Sequence, residues 1–137
     1  MKRKKLFYLI LPLVTLILEI LPFGAVLNFM RPSTTDGIPA SRFRKLYSYF
    51  NLTPFGYANF APFLTAIVTC LATTLLVIFF FTDNTVVLKT TKATLIIGTA
   101  LSLCPLLLGI EFFSVTGALI TATLLAEFIL IFITTKQ

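Results

Sequence analysis

Two glutamates, Glu19 and Glu127, lie within stretches that are otherwise almost entirely apolar. An acidic side chain at the centre of a membrane span costs about 2.5–3.5 kcal/mol on insertion scales, so such groups usually face protein or water. No Lys, Arg or His lies in these stretches to pair with them. Three roles are therefore open. The glutamates are buried, protonated hydrogen-bonding groups, they form a proton- or cation-linked site, or they belong to an interface with another membrane protein.

Small polar residues accompany both glutamates. A threonine precedes each glutamate by one helical turn, and the second apolar stretch carries further threonines at four-residue spacing. Threonine hydroxyls hydrogen-bond across helix contacts in membranes. We therefore predict that Glu19 is buried between helices and faces threonines. The candidate intramembrane polar site comprises Glu19, Glu127, Thr15, Thr69, Thr73 and Thr123.

The residues needed for most enzyme and metal chemistry are missing from this sequence. It contains no His and no Gly-rich phosphate loop, and its two cysteines, Cys70 and Cys104, lie in apolar stretches with no zinc or redox spacing. A buried Cys behaves as a small apolar residue. Nucleophilic catalysis would need an activated nucleophile with a base. We predict no enzyme activity, no cofactor and no metal site.

The composition indicates which solvent the chain folds in. Of 137 residues, 58% are hydrophobic and 12% are charged, with a mean hydropathy of +1.00. Soluble domains are about 45–50% apolar and about 25% charged. A chain this short cannot bury so much apolar surface in a water-soluble core. Lipid is therefore the expected solvent, and an integral membrane protein is predicted.

Four apolar runs are long enough to cross a bilayer, which needs about 20 residues of helix. The runs lack the alternation of barrel strands, so helices are expected. We predict an all-α membrane protein of one domain, residues 1–137, forming a four-helix transmembrane bundle. Short connections around Asp83 to Lys92 and Gly109 to Phe113 predict an antiparallel, up-down-up-down order. The predicted spans are about 6–29, 62–81, 93–110 and 113–133, with an outer loop at 31–61.

Positive charges predict the orientation, because cytoplasmic loops carry an excess of Lys and Arg. With the N-terminus inside, seven basic residues are cytoplasmic, at 2–5, 89, 92 and 136, and four are outside, at 31, 42, 44 and 45. We predict the plasma membrane with both termini cytoplasmic. The net charge of +6 is then mostly a topology signal, and no nucleic-acid binding is expected.

The outer loop contains a segment with helical periodicity. Ser41 can cap a helix, and apolar residues follow at the i, i+3, i+4, i+7 spacing of one helical face. We predict a short amphipathic helix from Ser41 to Phe50, with Phe43, Leu46, Tyr47 and Phe50 turned inward, that rests on anionic lipid headgroups. Two alternatives are a lid over the bundle and a contact with a receptor-like partner. The candidate lipid-surface helix comprises Arg42, Phe43, Arg44, Lys45, Leu46, Tyr47 and Phe50.

Other local signals concern bends and helix contacts. The similar segments at 22–24 and 54–56, each Pro-Phe-Gly, predict bends where helix meets loop. Small residues at four-residue spacing, which let membrane helices approach closely, predict the faces on which the helices pack. They are Gly98 and Ser102 on the third span, and Ser114, Ala118, Ala122 and Ala126 on the fourth.

Two functions are consistent with these features. The first is a structural or accessory membrane protein that acts through helix packing and its outer loop, within a homo-oligomer or a larger membrane complex. The second is a small proton- or cation-coupled transporter that works as an oligomer through Glu19 and Glu127. In its small size and in the acidic residue of its first predicted span, Glu19, this chain resembles the small multidrug resistance family. The resemblance covers only Glu19 and the chain size, because that family has short loops and a Trp and Tyr context that this sequence lacks.

Overall fold

The computed structural model describes residues 2–33, 37, 39–53 and 59–134, with side chains given from residue 8 to residue 133 of that set. The described chain is mainly helical, with one small sheet. In chain order, the elements are α1 (Lys2–Ile20), β1 (Ala25–Arg31), β2 (Ser41–Tyr47), α2 (Ala61–Thr82), α3 (Thr85–Leu108), a short 3-10 helix (Ile110–Phe112) and α4 (Val115–Thr134).

Three of the helices, α2, α3 and α4, are long and apolar enough to cross a membrane. This confirms three of the four predicted spans as helices of suitable length and composition. In α1 the apolar helical segment is shorter, Tyr8–Ile20. α1 packs against α2 and α4, and α3 packs against the same two helices. The helices therefore share one interior.

The prediction of a continuous first span to residue 29 was wrong. α1 ends at Ile20, the chain turns through residues 21–24, and residues 25–31 form a strand. Pro22 disfavours helical geometry at the preceding residue and cannot donate a backbone hydrogen bond. The predicted bend at 22–24 therefore exists, but it separates helix from strand. The second predicted bend, at 54–56, lies outside the described residues.

The start of the third span was also misplaced. α3 begins at Thr85, eight residues before the predicted 93, so the connection from α2 is only Asp83 and Asn84. Asp83 has a left-handed conformation (φ 51°) that ends α2. The Asn84 side chain accepts a hydrogen bond from the backbone N–H of Val86 at 2.8 Å and so caps α3. Lys89 and Lys92 therefore lie near the start of α3. Their polarity favoured a loop in the sequence analysis, but they belong to the helix.

The predicted amphipathic helix at 41–50 was wrong, because Ser41–Tyr47 is a β-strand. It pairs antiparallel with β1, with Phe29 opposite Phe43 and Asn28 opposite Arg44. The rings of Phe29 and Phe43 stack at 5.4 Å between centroids. The helical spacing was real, but an isolated short helix is marginal in water. The nearby β1 instead satisfies the backbone groups of this segment and supplies cross-strand contacts.

The inward orientation expected for the apolar residues of this segment was wrong as well. Phe43, Leu46 and Phe50 are exposed, and Tyr47 is half-buried. The buried part of the hairpin belongs to β1, whose residues Ala25, Val26 and Leu27 are covered. The hairpin is therefore anchored through its first strand and presents its second strand outward.

The packed face of α4 differs from the predicted one. Ala118, Ala122 and Ala126 are exposed, so this part of the predicted small-residue stripe does not hold the described helices together. On α3, Gly98 and Ser102 are buried as expected. α4 and the residue before it instead bury a face with spacings of three and four residues, made of Ser114, Gly117, Ile120, Leu124, Glu127 and Ile131. Its larger residues fill the space between helices, while the alanines face outward.

Candidate functional site

Both glutamates are buried in the shared helical interior. Glu19 is 0% exposed and Glu127 is 2% exposed. Thr69 Oγ1 lies 2.8 Å from Glu19 Oε1, and Thr15 Oγ1 lies 2.9 Å from Glu127 Oε1. Because Thr15 and Glu19 are one turn apart on α1, these two contacts join α1 to α2 and to α4. We call these four residues the carboxyl–threonine pairs.

The same hydrogen-bond pattern occurs in both carboxyl–threonine pairs. The Thr69 hydroxyl also lies 3.0 Å from the carbonyl oxygen of Thr65, and the Thr15 hydroxyl lies 3.1 Å from that of Leu11. A hydroxyl has one proton to donate and two lone pairs to accept with. If the hydroxyl donates to its own helix, the carboxyl must donate to the hydroxyl. A protonated carboxyl group satisfies both contacts at once, whereas a carboxylate competes with the backbone for one proton.

One oxygen of each carboxyl group has no hydrogen-bond partner among the described residues: Glu19 Oε2 and Glu127 Oε2. A buried charged oxygen in this condition would cost far more than a neutral carbonyl oxygen. Among the described residues, no Lys or Arg side chain contacts either carboxyl group to offset a negative charge.

Two threonines that the sequence placed in the site do not reach a carboxyl group. The Thr73 hydroxyl donates to the backbone carbonyl of Thr69 at 2.8 Å, and the Thr123 hydroxyl donates to that of Ile120 at 2.9 Å. Both are bonds within one helix. Helical spacing could not distinguish a hydroxyl that crosses to a neighbouring helix from one that bonds to its own.

The segment that follows the hairpin, Ser48 and Tyr49, was not predicted to belong to the site. The backbone carbonyl of Glu19, at the end of α1, accepts a hydrogen bond from Ser48 Oγ at 2.8 Å and another from the Tyr49 N–H at 2.9 Å. Carbonyls at a helix C-terminus have no partner within the helix. This segment supplies those partners and fixes the hairpin over the end of α1.

Tyr49 is the largest fully buried side chain among the described residues, at 1% exposure. A Cβ added at Gly24 would lie 2.7 Å from its ring, and one added at Gly117 would lie 3.1 Å from its hydroxyl oxygen. The Ser114 hydroxyl also donates to the Gly24 carbonyl. These two glycines leave room for the ring between the turn after α1 and the start of α4. Burial raises the pKa of the Tyr49 hydroxyl, which stays neutral. In the sequence, Gly24 and Gly117 were the signals that could have indicated this pocket.

The basic residues of the hairpin have the opposite environment. Arg42, Arg44 and Lys45 are all exposed. Lys45 Nζ lies 5.2 Å from the centroid of the Tyr47 ring, and Arg44 makes a long contact of 3.5 Å to the Phe113 carbonyl oxygen. The positive charge predicted for this segment is therefore at the surface, on a strand.

Two adjoining grooves of about 250 and 240 Å³ lie between the two strands of the hairpin and the 3-10 helix. Asn28, Arg42 and Glu111 line both grooves. A third groove, of about 310 Å³, runs beside α2 and includes Cys70 and Thr73 in its lining. Neither Glu19 nor Glu127 lines any of these three.

The cysteines and acidic residues form no metal site in the described ranges. Cys70 and Cys104 are free thiols. Within those ranges, no three residues among His, Cys, Asp and Glu lie close enough together to hold a metal ion.

No family model, curated protein or solved structure matches the chain.

Proposed function

We propose that the chain is a small integral membrane protein with a structural or accessory role, exerted through helix packing and through its hairpin. The distribution of side chains carries this proposal, because acidic and hydroxyl side chains share the interior with the apolar core while many large apolar residues are exposed. The interior contains Glu19, Glu127, Thr65 and Thr69, whereas the outer faces carry exposed large apolar residues. Such an outer surface is stable in lipid and would aggregate in water.

In this proposal all four helices insert, as an antiparallel up-down-up-down bundle in the plasma membrane with both termini cytoplasmic. The two-residue connection between α2 and α3 supports antiparallel neighbours. Both Lys89 and Lys92 lie on the first two turns of α3, on the proposed cytoplasmic side. The hairpin and the connection between α3 and α4 are on the outer side.

The orientation is testable by cysteine labelling in intact cells. Cys70 and Cys104 are first replaced by Ala or Ser, and single cysteines are placed at Thr35 and Gln137. An impermeant thiol reagent is expected to label position 35 and to label position 137 only after lysis. Labelling of position 137 without position 35 in intact cells would contradict the orientation.

The carboxyl–threonine pairs then have a structural role: they hold α1 between α2 and α4 as neutral hydrogen-bonding groups. Interhelical hydrogen bonds of this type contribute about 0.6–2 kcal/mol each in membrane proteins. Purification from the native membrane in a mild detergent tests the accessory role. A reproducible stoichiometric partner or a homo-oligomer supports it, whereas a monomer with no partner contradicts it.

A second function, proton- or cation-coupled transport by an oligomer, is favoured by one observation. Each glutamate has a buried oxygen with no partner among the described residues, which is an acceptor that a cation can use. Glu19→Gln separates the two functions. It retains the shape and the ability to donate but cannot release a proton, so a coupled flux in proteoliposomes would vanish in a folded variant. The structural proposal expects no proton- or cation-driven flux in either wild type or variant.

A further inference from the structure

The two adjoining grooves between the hairpin and the 3-10 helix have charges of both signs on their walls. Arg42 and Arg44 are two residues apart on β2 and therefore point to the same face of the hairpin. Opposite them on β1 are Met30 and Asn28. The wall formed by the 3-10 helix contributes Glu111. We call these two adjoining grooves, which share Asn28, Arg42 and Glu111 in their lining, the hairpin groove.

The opposite charges of the groove are not paired with each other within the described structure. Glu111 forms no ion pair there, although it lines the same groove as Arg42 and Arg44. All three side chains are exposed. The groove therefore holds separated positive and negative groups across a space of about 250 Å³. That arrangement suits a ligand with an anionic and a cationic group at opposite ends.

Apolar side chains form part of the groove wall. They are Phe29, Met30 and Phe112. Met30 is 70% exposed, and Ile110, the residue before Glu111 in the chain, is 84% exposed. A water-soluble zwitterion would gain nothing from these side chains. A phospholipid would place its acyl chains against them while its headgroup occupied the polar part.

We propose that the hairpin groove binds the headgroup of an ethanolamine phospholipid. Arg42 and Arg44 hold the phosphate through charge-assisted hydrogen bonds, and Glu111 accepts from the primary ammonium. A choline headgroup has no N–H to donate to Glu111, and a glycerol headgroup has no positive charge. The site therefore discriminates among phospholipids by the hydrogen-bonding and charge of the headgroup. The proposal depends on the membrane insertion argued above.

The test uses the full-length protein in detergent, with ethanolamine, choline and glycerol phospholipids of identical acyl chains, and native mass spectrometry to count retained lipids. We expect wild type to retain the ethanolamine lipid at least about tenfold better than the other two, equivalent to about 1.4 kcal/mol. Equal retention of the three lipids would overturn the proposal.

Variants assign the contacts. The double variant Arg42→Gln/Arg44→Gln is expected to lose retention of the ethanolamine lipid, whereas Glu111→Gln is expected to abolish its advantage over the glycerol lipid. The matched control is Lys45→Gln, which removes a positive charge from the opposite face of the same strand. Weakening by Lys45→Gln equal to that by the arginine variant would show general charge attraction and contradict the site.

Two further measurements distinguish a lipid site from a site for a soluble zwitterion, and failure of the groove from failure of membrane insertion. Free phosphoethanolamine is expected to compete poorly, and binding as tight as that of the lipid would refute a lipid site. Extraction of membranes with alkaline carbonate checks insertion itself. If the wild-type protein is released by carbonate, membrane insertion fails. If it stays inserted but shows no headgroup preference, only the groove proposal fails.

Discussion

The helical interior and the hairpin differ in where they place ionisable side chains: the interior buries acidic ones, and the hairpin exposes basic ones. In the interior, each carboxyl group contacts a threonine of a neighbouring helix, and both are almost completely shielded from solvent. On the hairpin, three basic side chains remain exposed. A protein interior penalises a lone charge by several kcal/mol, whereas an exposed side chain keeps its charge solvated. The chain therefore buries ionisable residues within hydrogen-bonded contacts in one region and exposes them in the other.

Tyr49 connects the two regions, so its truncation should have the largest effect on stability. Tyr49→Ala removes a fully buried ring and is expected to cost about 3–5 kcal/mol of unfolding free energy, as for other large core side chains. The matched control is Phe50→Ala, since Phe50 is the next residue and is 38% exposed. Reversible unfolding in a detergent–denaturant series measures both. Equal losses would mean that Tyr49 does not anchor the hairpin.

Gly24 tests the same anchor from the other side of the ring. A methyl group in Gly24→Ala would approach the Tyr49 ring to 2.7 Å, and the buried ring has no room to move. Overpacking of this kind costs about 1–3 kcal/mol. Gly98→Ala is the comparison, because its nearest neighbour, a methyl of Val68, lies at 3.2 Å. A loss at Gly98 as large as at Gly24 would contradict the tight fit of the ring.

The threonines of α2 test the interior contact with a smaller effect. Thr69→Val removes the hydroxyl that contacts Glu19 and is expected to cost about 0.6–1.7 kcal/mol. Thr73→Val, one turn later, removes only a bond to its own helix and should change the unfolding free energy by less than about 0.5 kcal/mol. If both variants are equally stable, the Thr69 contact does not stabilise the helix interface.

Much of the helical part could be predicted from the sequence. Apolar runs gave the positions of α2 and α4 closely, and the threonine spacing identified Thr69 and Thr15 as polar positions facing the interior. The beginning of α3 was missed because five of the eight residues from Thr85 to Lys92 are polar and the Asn84 cap was not recognised. The end of α1 was missed because hydropathy does not distinguish a helix from a partly buried, mostly apolar strand such as Ala25–Arg31.

The hairpin could not be predicted from local periodicity, because the strand assignment depends on pairing between residues far apart in the chain. Phe43, Leu46 and Tyr47 fit a helical face, but the pairing of Phe29 with Phe43 decided the structure. In the same way, Ser48 and Tyr49 joined the site only through contacts with the end of α1. Such contacts between distant residues have no short-range sequence signal.

The contrast between interior and hairpin requires that the interior carboxyl groups are neutral hydrogen-bonding groups. Infrared spectroscopy of the protein in lipid bilayers at neutral pH measures their state, because protonated and ionised carboxyl groups absorb at different frequencies. We predict a protonated carboxylic acid band in wild type, reduced in Glu19→Gln and in Glu127→Gln and absent in the double variant. A wild-type spectrum with carboxylate bands alone, and no protonated band for the variants to remove, would show that the interior glutamates are charged and contradict their proposed role.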